Sequence, residues 1–140
     1  MATYDASVNT NNSVRSNRSY SDLNLNFNKN PATKDVAKLK DVEAVKRAVR
    51  NLILTNRFER PFHPEIGSDI RSLLFENMTP VVEVLLKDRI KETIDVYEPR
   101  ADVTDIIVSG DSDRNEYRVQ IEFRVLNVPD PIVVTEFLQR

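Results

Sequence analysis

Ten residues near the C-terminus, Glu116 to Val125, alternate polar and apolar side chains without a break. Tyr117, Val119, Ile121, Phe123 and Val125 fall on one side of an extended chain, and Glu116, Arg118, Gln120, Glu122 and Arg124 on the other. Period two belongs to a strand; wound into a helix, the same residues would spread around the whole circumference. The run therefore predicts a strand with one buried face, and the rest of the chain has to supply the apolar layer that covers it.

The flanking segments supply more strand. Val103 to Ser109 is apolar and β-branched, and Gly110 to Asn115 holds turn residues. Pro129 and Pro131 interrupt the chain, and Ile132, Val133 and Val134 form a final strand at an edge, where proline is tolerated. Near the start, Asp22 to Asn28 also alternates, which predicts a strand with Leu23, Leu25 and Phe27 inward. Asn30-Pro31 ends it, and Asp35 to Lys40 returns as a short second strand through Val36 and Leu39.

The covering layer is helical. Asp41 is read as an N-cap. After it Val42, Val45, Val49, Leu52 and Ile53 recur at spacings of three and four, with Lys46, Arg47 and Arg50 on the opposite side, to about Asn56. Arg57 to Gly67, with Pro61, Pro64 and Gly67, is an ordered loop, and Ser68 caps a short helix that turns Ile70, Leu73 and Leu74 inward. Thr79-Pro80 starts a longer helix, because threonine caps and proline loses nothing in the first turn. Its stripe is Val82, Leu86, Ile90, Ile94 and Tyr97, widened by Val81 and Leu85. Pro99 stops it and disfavours helix at Glu98. Strands, helices and strands in this order predict an α+β fold, with two or three helices on one face of a small, mostly antiparallel sheet.

Domain organisation follows composition. Residues 1–20 are rich in serine and asparagine and hold no Leu, Ile or Phe, so they form a flexible or partner-ordered arm. Residues 21–140 form a single domain that ends in the edge strand. The sheet built around Tyr117 to Val125 either closes within the domain or leaves an edge for a strand from another chain.

Several function classes are disfavoured. A net charge of -2 does not make a nucleic-acid footprint. There is no cysteine for a disulfide or a thiolate metal site. No apolar run of about 18 residues predicts a membrane span, and the start lacks a signal peptide pattern. Two glycines, Gly67 and Gly110, are too few for a phosphate-cradling loop. His63 is the single histidine and reads as a loop residue between Phe62 and Pro64. Glu59, Glu65, Glu98 and Asp102 are the loop carboxylates that a glycosidase pair would draw on, but a charge-balanced surface accounts for them better. No catalytic residue, metal or cofactor is expected.

Two charged stretches stand out. Arg57-Phe58-Glu59-Arg60-Pro61 and Tyr97-Glu98-Pro99-Arg100 each set Glu and Arg beside a proline. These charges pair within the domain and fix its loops, or they meet a partner; an Arg–carboxylate fork suits either. Glu98 and Arg100, two residues apart in an extended segment, project to the same side.

From Asp22 to Leu138 the chain resembles the baseplate wedge, or sheath-initiator, subunits of contractile-tailed bacteriophages, a lysozyme-like family related to the baseplate subunit of the type six secretion system. The resemblance rests on Asp41 to Thr55 as a first helix, then Glu59-Arg60-Pro61 with Phe62 to Gly67, then Tyr97-Glu98-Pro99-Arg100 after a long helix. Phe58 stands where the family often has glycine. The resemblance implies a structural subunit in the virion's tail baseplate, assembled in the host cytoplasm, with a domain like the strand-sharing part of the sheath protein. Its implied partners are other baseplate wedge proteins and the tail sheath protein, with the tail tube nearby. Glu98, Pro99 and Arg100 are the implied partner-binding residues, supported by Glu59, Arg60 and Pro61. On that reading, Arg100→Ala leaves the domain folded and blocks assembly. A peptidoglycan-cleaving enzyme using loop carboxylates is the alternative.

Overall fold

A computed structural model describes residues 20–125, 128 and 130–139. The arm before Tyr20 and the Pro129 interruption lie outside the described residues. The elements run β1 (Ser21–Leu23), β2 (Lys38–Lys40), α1 (Asp41–Leu54), α2 (Ile70–Leu74), α3 (Pro80–Tyr97), β3 (Ala101–Asp111), β4 (Glu116–Val125) and β5 (Ile132–Gln139). β1 and β2 pair as a small antiparallel ribbon, and β3-β4-β5 form an antiparallel sheet with β4 in the middle.

β4 behaves as its alternation requires. Tyr117, Val119, Ile121, Phe123 and Val125 are all buried. Burying a side chain of this size stabilises by about 2 kcal/mol, so this face anchors the domain. Val45, Val49 and Ile53 of α1 and Leu86, Ile90 and Ile94 of α3 meet it, and Ile106, Val134 and Leu138 extend the core across the sheet. The helices thus lie on one face of the sheet, as the α+β reading expects.

α3 starts as read: the Thr79 hydroxyl accepts from the Val82 amide at 3.4 Å, and Pro80 occupies the first turn. Its stripe is narrower than expected. Val81 and Leu85 are exposed, because α3 packs through the Val82, Leu86, Ile90, Ile94 line with Thr93 beside it. β5 is longer than the Ile132 to Val134 segment foreseen. Gly110 belongs to β3, and the turn is confined to Ser112–Asn115, where Asn115 takes φ 57°.

Three expectations in the first half of the chain are corrected. The Asp22 to Asn28 strand stops at Leu23, and Leu23, Leu25 and Phe27 face solvent while Asn24 is buried. Asparagine chemistry overrides the alternation: Asn24 Oδ1 accepts from the Asn26 amide at 3.0 Å and its carbonyl from the Phe27 amide at 2.9 Å, which turns the chain. Asp41 does not cap α1. Its carboxylate accepts from the Tyr20 amide at 3.0 Å, with Lys40 at the cap position. Ser68 does not cap α2 either; its hydroxyl donates to the Ile53 carbonyl at 2.5 Å, and Asp69 precedes the helix.

A candidate docking site at two charged proline loops

The C-terminal end of α1, the loop 57–67 and the segment after α3 converge. α1 ends at Leu54, and the Thr55 amide closes its last turn on the Asn51 carbonyl. The chain then loops out and returns beside its own departure. The Ser68 amide donates to the Thr55 carbonyl at 2.8 Å, and Asn56 and Ser68 form a parallel bridge. Gly67 makes this return possible. It has φ 148°, and a Cβ there would lie 2.7 Å from the Asn56 carbonyl carbon and oxygen. Only glycine supplies both the conformation and the clearance.

Inside the loop, Glu59 Oε2 accepts from the Asn56 amide at 2.9 Å and the Asn56 side-chain amide at 3.3 Å. The Phe58 amide bonds to the Pro64 carbonyl at 2.9 Å. The Tyr97 hydroxyl donates to the Glu65 carbonyl at 2.7 Å, which ties the loop to the end of α3. His63 Nδ1 lies 3.2 Å from Glu65 Oε1 at the exposed rim. The Glu65 carboxyl is held below its ordinary value, first by its own backbone N–H and then by His63.

Glu98 and Arg100 do project to the same side, and they find each other. Arg100 Nε donates to Glu98 Oε1, and Nη2 to Oε2 at 2.6 Å, a two-pronged fork. The Glu98 side chain is only 8% exposed and that of Arg100 28%. These bonds to Glu98 hold the guanidinium above its ordinary value. Arg100 also lies over the Tyr20 ring, 5.3 Å from its centroid. The charges of the two loops do not pair across. Glu59 keeps to Asn56, and Arg60 makes no ion pair among the described residues.

Both loops nevertheless line one cavity of about 710 Å³, with Glu59, Arg60 and Pro61 on one wall and Glu98 and Arg100 on another; Leu23, Leu25 and Leu54 add apolar surface. Pro99 is exposed beside it. The sequence reading missed the apolar walls, because it had turned Leu23 and Leu25 inward. It missed Tyr97 as a tie as well, since a helix stripe does not reveal a hydroxyl contact with a distant loop.

The sequence model of the family "Baseplate wedge protein gp25" matches residues 40–130, a span that contains both loops. The chain belongs to this family. It is 34% identical over 116 residues to the baseplate wedge protein gp25 of Enterobacteria phage T4, covering 83% of this chain and 87% of that protein. A chain in the cryo-EM structure of the anti-feeding prophage baseplate matches with a TM-score of 0.69 and 29% identity, over 80% of this chain and 90% of that one. A putative tail lysozyme from Geobacter sulfurreducens shares the fold, with a TM-score of 0.63 and 20% identity over 69% of this chain and 88% of that one.

Phe58 bears on the shape of the first loop. It has φ 66°, the left-handed conformation that glycine adopts without strain, and Phe62 follows at φ 68°. Both rings are exposed, at 83% and 96%. The turn is therefore the one a glycine would make, held by a residue that disfavours it. Phe58→Gly is expected to raise the thermal midpoint of the isolated chain, through relief of about 1 kcal/mol of left-handed strain. A lowered midpoint would mean that the ring supports the loop.

Proposed function

We propose that this chain is a structural, non-enzymatic subunit of a contractile phage tail baseplate. It joins the wedge and templates the first ring of sheath subunits around the tail tube by strand sharing. Family membership supports the baseplate wedge role. The observation that carries the templating role is a three-stranded antiparallel sheet with backbone left unpaired along an outer edge among the described residues.

Docking to neighbouring wedge proteins is assigned to Glu98, Pro99 and Arg100, with Glu59, Arg60 and Pro61 on the facing wall. The Glu98–Arg100 fork shapes the loop, while Arg60 and the exposed Phe58 and Phe62 rings reach outward. Arginine and aromatic side chains of this kind are enriched at interface centres. Glu98 spends both oxygens on Arg100, and Glu59 is held by amides, so neither sits in the cation-free apolar pocket that makes a general acid. Among the described residues no group of His, Cys, Asp and Glu could hold a metal ion, and no helix is long and apolar enough to cross a membrane.

Baseplates lacking the chain, mixed with purified sheath and tube proteins, are expected to assemble no first sheath ring until the chain is added. Arg60→Ala should leave the fold unchanged and weaken incorporation about tenfold, as loss of an interface arginine does. Sheath assembly without the chain would overturn the templating role. Release of muropeptides from purified cell wall, abolished by Glu98→Gln or Glu59→Gln, would favour the enzymatic alternative.

A further inference from the structure

The sheet has two outer edges, and they are built differently. On β3, two backbone donors are taken by carboxylates: the Gly110 amide donates to Glu83 Oε1 and the Ile106 amide to Asp105 Oδ1, both at 2.8 Å. Asp105 also holds Lys87 at 3.1 Å, and the register shifts between Val103 and Asp105. Lys87 and then the Ile106 amide hold the Asp105 carboxyl below its ordinary value. An irregular, charged edge with occupied N–H groups resists a further strand. On β5, the strand partner is β4 alone, and no side chain bonds its backbone among the described residues.

The groove between α1 and this open edge changes character along its length. Beside the first half of β5, a cavity of about 410 Å³ is bordered by Lys46, Arg47 and Arg50. Arg50 is matched by Glu136 at 2.7 Å, and Lys46 has only an exposed contact with Glu43 at 3.7 Å. Arg47 reaches an amide oxygen, Asn24 Oδ1, at 3.4 Å. Beside the second half, a cavity of about 310 Å³ is bordered mainly by apolar side chains, Ile53, Leu54, Leu74, Phe137 and Leu138 among them, with Arg71 also in its lining.

We propose that β5 is the edge that accepts the incoming strand, and that this strand carries an apolar and an acidic side chain four residues apart. The proposal rests on the strand-sharing reading above and specifies its site. The positions beside Leu138 and Val134 on an added strand lie about 13 Å apart and on the same face, because side chains alternate with period two. The apolar side chain fills the cavity at Leu138. The acid meets Lys46 and Arg47, where positive charge is in excess. Main-chain hydrogen bonds to the open edge complete the contact.

The test uses the full chain, labelled with 15N, and a threonine-rich nine-residue peptide with leucine and glutamate four residues apart. A second peptide has lysine in place of the glutamate. The first is expected to slow amide exchange at alternate residues of Ile132–Gln139 and to leave Ala101–Asp111 unchanged. The lysine peptide should bind about tenfold more weakly, and Lys46→Glu should reverse that preference. Protection on Ala101–Asp111 would overturn the edge assignment and leave strand sharing standing. Equal binding of the two peptides would overturn the acidic match. Protection at neither edge with millimolar peptide would overturn the proposal, while sheath assembly on baseplates would still decide strand sharing by itself.

Discussion

Arg100→Ala is expected to destabilise the isolated chain by about 3 kcal/mol in urea unfolding, because it strands a buried carboxylate. Glu98 is almost entirely buried, and both of its oxygens accept from Arg100. Removing the guanidinium leaves that charge without its partner and also takes away the cation over the Tyr20 ring. The variant is still expected to fold, but with less stability than the parent. The double variant Glu98→Gln, Arg100→Ala should recover part of the loss, since no uncompensated charge then remains. A change of less than about 0.5 kcal/mol for Arg100→Ala, the size typical of a neutral surface substitution, would show that the fork contributes nothing to the fold. An assembly defect of an Arg100 variant therefore has to be read beside its stability, whereas Arg60, exposed and outside any ion pair among the described residues, reports on docking alone.

Gly67→Ala is expected to be equally damaging, for a steric reason. The new Cβ would sit 2.7 Å from the Asn56 carbonyl and 2.8 Å from the Thr55 carbonyl oxygen, all backbone atoms that cannot swing aside. The φ of 148° is itself a region that side chains rarely adopt. Clash and strain together should cost about 3 kcal/mol or more, and they fall on the Ser68 amide bond to Thr55 and the Ser68 hydroxyl bond to Ile53. Calorimetry would register the loss as a lowered midpoint. Amide exchange should show Asn56 to Ser68 opening first. A midpoint within a degree of the parent would mean that the loop can re-route without its glycine.

Much of the fold was legible because it follows from strict periodicity. β4 was read to the residue, and the α3 core line and its Thr79-Pro80 start were read correctly, since a cap and a stripe are local signals. Three polar residues were misjudged because their local preferences admit several partners: Asn24 turns the chain through the Asn26 and Phe27 amides, while distant backbone decided for Asp41, through the Tyr20 amide, and for Ser68, through the Ile53 carbonyl. Val81 and Leu85 were misread because a pattern records which helix face is apolar, not how much of that face has a neighbour.

By itself, the sequence determined the α+β class, the central strand with its buried face, the helix that stops short of Pro99 and the pair of charged proline loops that mark the family. Those features depend on bonding and sterics within a few residues. Only the tertiary structure decided that the two loops line one cavity, and that among the described residues carboxylates occupy β3 amides while β5 pairs with β4 alone. These outcomes depend on which segments meet across tens of residues of chain, and spacing along the sequence does not encode that.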